Sequence, residues 1–281
     1  MVSFLVENIS KKNPTTNTTH NKPMKTKTFI TAALLATAMH ASAATTAIIS
    51  VNFQAGQSPA DGPAVTGTAG YIAAGNWNNG LGNWSQGVNP NQVVNLSNLV
   101  TSSGAVSSLD MSYTSFGTWD YATGDGNGTN ADMMSGFLDN MQVSGSITIS
   151  DLMPNKGYDV YAYFNNTSTT YIGARGTDGI STNSYYAVTN NPNYPLGGTN
   201  GYIVSQDDNV VDGWTTANAI LFSGYTGDTF TIDAAPAPGA PPGPYKLTLN
   251  GIQIVVTVPE PSSTALLGLG GVALMLRRRR K

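Results

Sequence analysis

The chain has no cysteine and two histidines, His20 and His40. Both histidines precede Ala44, so the long stretch from Ala44 to Val258 carries neither thiol nor imidazole. Disulfide cross-links are therefore excluded. So are Ser-His-Asp and Cys-His nucleophilic catalysis, and zinc or haem sites built on His or Cys ligands. Glutamate is missing from the same stretch, and cations nearly so. Of thirteen Lys and Arg only Lys156, Arg175 and Lys246 fall there, against fourteen Asp, which makes a net −11 where the whole chain shows −3. Such a surface repels nucleic acid and anionic membranes and attracts divalent cations. Nucleic-acid binding is excluded on that ground.

The missing cations sit at the two ends. Residues 1–23 are polar and aperiodic, and are read as a misassigned start or a disordered extension. From Met24 the order is that of a secretion signal: Lys25 and Lys27, an apolar run from Phe29 to Met39, then Ala41-Ser42-Ala43. Residues 24–43 are expected to be a signal peptide cut by signal peptidase after Ala43, with Ala44 the first mature residue. At the other end Ser262 to Leu276 is uncharged and mostly apolar, and Arg277, Arg278, Arg279, Arg280 and Lys281 follow directly. The positive-inside bias holds those cations in the cytoplasm and puts the preceding domain outside. At ~1.5 Å per residue this run reaches ~22 Å, short of a ~30 Å hydrocarbon core. Gly268, Gly270 and Gly271 weaken it further as a helix. The expectation is a short hydrophobic helix that inserts transiently in the inner membrane.

Pro259-Glu260-Pro261, the apolar run and the arginine cluster together resemble the PEP-CTERM sorting signal, over residues 258–281 only. The resemblance implies processing by an exosortase, a membrane cysteine peptidase. It also implies a Gram-negative source that makes exopolysaccharide, and delivery to the cell surface or extracellular matrix. Whether the tail is cut or kept is left open by the residues. The tail supplies an address and no activity.

Removing both ends leaves about 215 residues, enough for one sizeable core. Apolar residues there come in short alternating runs, read as strands at Ala47–Phe53, Ser108–Phe116, Ser146–Ser150, Tyr158–Phe164, Thr170–Arg175, Tyr185–Val188, Asn218–Phe222, Asp228–Asp233 and Lys246–Val258. Met153 to Gly157 is a Pro/Gly turn, and the proline-rich Ala234 to Pro244 reads as a stiff exposed loop. Asn250-Gly251 either closes a hairpin or marks a bulge in one long strand. Asn130 to Met141 reads as a short helix capped by Asn130 or Asp132, with Met133, Met134, Phe137 and Leu138 inward. The fold class is all-β: residues 44–257 form a single β-sandwich or jelly roll. The ISVNF, LMPNKGYDVYAYF and LNGIQIVV segments, beginning at Ile49, Leu152 and Leu249, faintly resemble galactose-binding-like β-sandwiches.

Three constellations could carry chemistry. Asp125, Asn127, Asn130 and Asp132 lie on a glycine-rich loop and offer the hard oxygen ligands of calcium. The competing reading is a solvated turn with a helix cap. Asp207, Asp208 and Asp212 form a weaker second group. Trp77 and Trp84 stand in a polar stretch, GNWNNGLGNW, and could stack on sugar rings or else plug one end of the sandwich. The tyrosine pairs Tyr161/Tyr163 and Tyr185/Tyr186 are expected to divide between core and surface. No spacing marks a pair of catalytic carboxylates, so no catalytic residue is assigned. The reading is an exported, exosortase-sorted protein with a non-catalytic domain that binds polysaccharide or serves structurally. The alternative is a carboxylate-dependent secreted glycan hydrolase or lyase.

Overall fold

The computed structural model describes residues 44–54, 63–81, 93–115, 117–120, 128–139, 145–152, 156–165, 169–189, 198–236 and 247–258. All fall in one compact unit, Ser42–Ser262. The strands are β1 (Ala44–Gln54), β2 (Asn78–Leu81), β3 (Val94–Leu96), β4 (Asp110–Thr114), β5 (Gly117–Asp120), β6 (Gly136–Asp139), β7 (Ser146–Ser150), β8 (Gly157–Tyr163), β9 (Thr170–Thr177), β10 (Thr182–Thr189), β11 (Val204–Ser205), β12 (Ala219–Tyr225), β13 (Phe230–Ala234) and β14 (Gly251–Val258), with one helical turn, α1 (Asn130–Met133). The fold is all-β. One six-stranded sheet runs β11-β12-β8-β14-β1-β2, a second runs β10-β9-β13-β7-β4-β3, and β5 pairs with β6.

Alternation along the strands builds a core shared by both six-stranded sheets. Ile49, Val51 and Phe53 of β1, Ile252 and Ile254 of β14, and Val160 of β8 meet Met111, Ile147, Ile149, Ile172 and Ile232 from the second sheet. Each such side chain contributes ~1.5–3 kcal/mol on burial. Aromatic edges lock the two sheets together, with ring centroids 5.0 Å apart for Phe53–Tyr113 and 5.6 Å for Phe222–Phe230.

The opposite face of the first sheet is also covered. Tyr161, Tyr163, Ala219 and Val255 point into a second apolar cluster with Val65, Ala69, Trp77, Met133, Met134 and Tyr202. Tyr161 and Tyr163 are two residues apart, so they share a face and do not divide; both are buried. Tyr185 and Tyr186 do diverge: Tyr185 packs against the main core, and Tyr186 joins a small cluster with Ala235.

This covering layer, residues 63–79 with α1, is irregular backbone, and side-chain amides hold it down. Gln253 is fully buried and uses its whole amide. Its Nε2 donates to Ser50 Oγ (3.1 Å) and Ile72 O (2.8 Å), while its Oε1 accepts from the Tyr163 hydroxyl and from Ile72 N (3.3 Å). Gly70 lies flat on that amide with φ +96°, and a Cβ there would fall 2.5 Å from Gln253 Cδ. Only glycine satisfies both the turn and the approach.

Two expectations need correction at Asn250. The 130–141 segment is not one helix: α1 ends at Met133, its N-cap is Thr129 and not Asn130 or Asp132, and Phe137 and Leu138 lie on β6. All four apolar residues are buried as expected, but the second pair is buried by strand pairing, Trp119 opposite Phe137 and Leu138 bridged to Leu249. Tertiary pairing overrides the helical pattern at Ser135-Gly136. Asn250-Gly251 is neither hairpin nor bulge: Leu249 exchanges both backbone bonds with Leu138, whereas Gly251 onward pairs with β1 and β8. At the transfer point Asn250 is fully buried and bonded through every polar group. Its N donates to Tyr163 O and its O accepts from Phe53 N. Its Nδ2 donates to Met134 O (3.0 Å) and Gly136 O (2.9 Å), and its Oδ1 accepts from Asn165 N (2.6 Å).

Asp178 is a second clip, joining the β9–β10 turn to the β12–β13 turn. Oδ1 accepts from Ile180 N (2.9 Å) and Ser181 N (2.7 Å), and Oδ2 from Thr226 N (3.0 Å) and Gly227 N (2.9 Å). Burial alone pushes its carboxyl up, but these four donors outweigh it and draw the pKa down from 3.8 to about 2. The only ion pair among the described residues is Arg175–Asp233, bidentate at 2.8 and 2.5 Å and largely exposed, so it adds little.

Two predictions follow from these clips. Asn250→Ala takes the side-chain donor from the buried Gly136 carbonyl and the acceptor from Asn165 N, while Met134 O keeps Asn165 Nδ2, and should cost about 2 kcal/mol or more in thermal or urea melts. Asn250→Asp should be no better, because its carboxylate would face the Met134 and Gly136 carbonyls. An unchanged midpoint in both variants would contradict the assignment. For Asp178 the folded pKa lies below the unfolded one, so its stabilisation is complete above about pH 4 and lost as pH falls through about 2. Asp178→Asn should therefore be less stable at pH 7 and approach the wild type on acidification. A stability gap that stays constant across that window would count against it.

Candidate functional site

The covering layer stops short of one side of the first sheet. Beyond it, on the outer face of β8 and β12, lies a groove of about 350 Å³ lined by Tyr71, Tyr161, Val204, Gln206 and Leu221. Its position follows from alternation: Tyr161 on β8 and Leu221 on β12 are cross-strand partners facing away from the main core. Tyr71 comes from the covering layer and stacks on Tyr161, with centroids 5.3 Å apart and planes 24° from parallel. The backbone of Tyr71 is fixed on both sides, its N donating to Tyr163 Oη (2.9 Å) and its O accepting from Asn200 Nδ2 (3.0 Å). Gln206 is exposed at the rim and donates through Nε2 to Leu221 O (3.3 Å) and Ser223 Oγ (3.1 Å).

The described lining of the groove is uncharged. Burial, then the Asp159 carboxylate, then Tyr71 push the Tyr161 hydroxyl above its ordinary value, so it stays protonated and able to donate. Among the described residues no lysine or arginine lines the groove. A second, more apolar cavity of about 230 Å³, lined by Ala47, Ile49, Thr101, Val106, Leu109 and Lys156 among others, lies along β1 and β14.

The residues singled out in the sequence are placed differently. Trp77 is 6% exposed, packed with Val65, Met133 and Tyr163, and its indole N–H donates to Ala74 O (2.8 Å). It therefore turns no ring face to solvent. Trp84 lies outside the described residues, as do Asp125 and Asn127. Asn130 and Asp132 are described, and both work inward. Asn130 Oδ1 accepts from Gly70 N (2.6 Å) and the Tyr202 hydroxyl (3.0 Å), and Asp132 Oδ2 accepts from Gly128 N. Asp207 accepts from Thr215 Oγ1 (2.9 Å) and Asn209 N (3.3 Å) within its own loop. Among the described residues no three His, Cys, Asp or Glu side chains gather closely enough to hold a metal ion. Ala41, Ala43, Pro259, Glu260, Pro261 and Arg277–Arg280 lie outside the described residues; of the residues next to them, Ala44 pairs directly with Val258. No helix among the described residues is long and apolar enough to cross a membrane.

Sequence reasoning marked Tyr161 but not Tyr71, Val204, Gln206 or Leu221. With Tyr161 these residues come from four separated segments, and only the fold gathers them. Trp214 packs edge-on against Tyr171, with ring centroids 4.6 Å apart. Trp119 is 39% exposed on β5.

Comparison with known proteins adds information at one place. Residues 257–280 match the family described as the PEP-CTERM protein-sorting motif. No curated protein and no solved structure matches the chain, and the galactose-binding-like resemblance gains no support from them. In its tail the chain is thus similar to PEP-CTERM proteins, and that motif implies export, exosortase processing and sorting to the cell surface through the membrane.

Proposed function

We infer that this protein is a non-catalytic surface or matrix component, released from a transient inner-membrane tether and retained outside the cell by contact with polysaccharide. The observation that carries the reading is the sorting motif at residues 257–280, which gives the address. The signal peptide at residues 24–43 and the short apolar helix at 262–276 belong to the same proposal, as does the description of the two six-stranded sheets as a single β-sandwich. Chemistry supports the non-catalytic part. The stretch from Ala44 to Val258 has no His, Cys or Glu, which removes the common nucleophiles and bases. A glycan hydrolase or lyase working with Asp alone needs one carboxyl held protonated near neutral pH. Asp178 is held the opposite way and spends both oxygens on backbone donors.

The test is subcellular fractionation of cells producing either the native chain or one with Pro259-Glu260-Pro261 replaced by three alanines. The native protein is expected in the outer fraction or the medium, and the variant in the inner membrane. The same distribution for both would overturn the sorting reading.

A further inference from the structure

A polysaccharide-binding role leaves open where the chain would sit and what chemistry it would have. The groove beside the covering layer answers both questions. Its lining combines two tyrosine rings, the aliphatic Val204 and Leu221, and the exposed amide of Gln206. A pyranose has the matching anisotropy: its axial C–H groups form an apolar face, and its equatorial hydroxyls point outward in the ring plane. The volume, about 350 Å³, lies at the lower end of the range for small-ligand sites and suits one or two sugar residues of a longer chain.

Pre-organisation separates this groove from ordinary surface aromatics. Tyr161 stands on β8, which is paired on both sides by β12 and β14. Tyr71 is stacked on it, and its backbone is bonded to both Tyr163 and Asn200. The aromatic wall therefore loses little conformational freedom when a ring stacks on it. Gln206 is held through Nε2, and among the described residues nothing donates to its Oε1. That oxygen is free to accept from a sugar hydroxyl.

Charge then selects the kind of sugar. Among the described residues no cation lines the groove, Asp159 is close enough to raise the Tyr161 hydroxyl, and the stretch from Ala44 to Val258 is near −11. A uronate or sulfate would find no cation among the described lining residues and would be repelled by the nearby Asp159 carboxylate. We propose that this groove binds a neutral polysaccharide, a pyranose stacking on the half-buried Tyr71 ring that Tyr161 backs, with a hydroxyl donating to Gln206. The inference rests on the binding role above and adds the site and the ligand class.

The test measures retardation of the detergent-solubilised full chain in native gels containing soluble starch, galactomannan or xyloglucan, against gels containing alginate or polygalacturonate. Retardation is expected with at least one neutral polymer and with neither acidic one. Tyr71→Ala should weaken that affinity at least tenfold, while Tyr71→Phe, which keeps the ring, should retain it. Gln206→Ala alters an exposed side chain, so it carries the test if Tyr71→Ala fails to fold; it should weaken binding several-fold with an unchanged melting midpoint. Neutral-polymer binding untouched by both Tyr71→Ala and Gln206→Ala would overturn the groove and leave the binding role standing. Retardation by the acidic polymers alone would overturn the ligand class. Retardation by none of the five would overturn the binding role together with the site.

Discussion

The carboxamide of Gln253, buried in the middle of the first sheet, has to satisfy two donors and two acceptors where no water reaches. It does so by gripping the 63–79 segment through Ile72, β1 through Ser50, and β8 through Tyr163. Asn250, three residues earlier, does the same for the segment that carries α1 and β6. Unpaired buried polar groups are costly, so these bonds act less as added attraction than as a penalty on every other arrangement. A chain with no disulfides and few ion pairs needs such a device to hold irregular backbone against a sheet. The remaining amides follow the pattern: Asn79 and Asn52 secure Val65 and Pro63, Asn78 secures Val100, and Asn218 secures Ile203.

The groove is a consequence of that network. Tyr71 stands where it does because the residues on either side of it are fixed, Gly70 on the Gln253 amide and Ile72 by the Gln253 hydrogen bonds. Its partner Tyr161 belongs to a central strand and needs no such help. One mobile-looking stretch of sequence, rich in Gly and Ala, thus becomes the rigid wall of a candidate ligand site. The sheet imposes a second constraint. Its neighbouring strands β1 and β14 are the first and last among the described residues, so the sheet cannot be completed until residues about two hundred positions apart have met. Contacts of such long range form late, and for an exported chain they form only after the final strand has emerged.

Legibility in the sequence divided along physical lines. Strands buried on alternate positions could be read directly: Ser146–Ser150 is recovered at both ends, and β1, β8, β9 and β12 lie within a few residues of their expected bounds. Short strands with polar or glycine-rich sequences could not, as with β2 (NNGL) and β11 (VS), whose pairing is decided by the sheet they join and not by a period of their own. The 130–141 segment misled because Met133, Met134, Phe137 and Leu138 fit a helical stripe, while Leu249 and Trp119 offered β partners that local spacing does not reveal. The asparagines misled in another way, since an Asn-rich stretch looks like solvated loop until its amides are seen facing inward. The sorting tail was fully legible because its meaning lies in contiguous residues. The groove was not, because Tyr71, Tyr161 and Gln206 are brought together only by the completed sheet.

Native-state hydrogen exchange of the backbone amides tests the buried-amide account most directly. Gly70, Tyr71 and Ile72 lie in irregular backbone, but their N–H groups donate to Asn130, Tyr163 and Gln253. The account predicts that they exchange with protection approaching that of the β8 and β14 core amides, and that Gln253→Ala collapses the protection of all three together while sparing β7 and β13. Rapid exchange at Gly70, Tyr71 and Ile72 in the native chain, with the core fully protected, would contradict it.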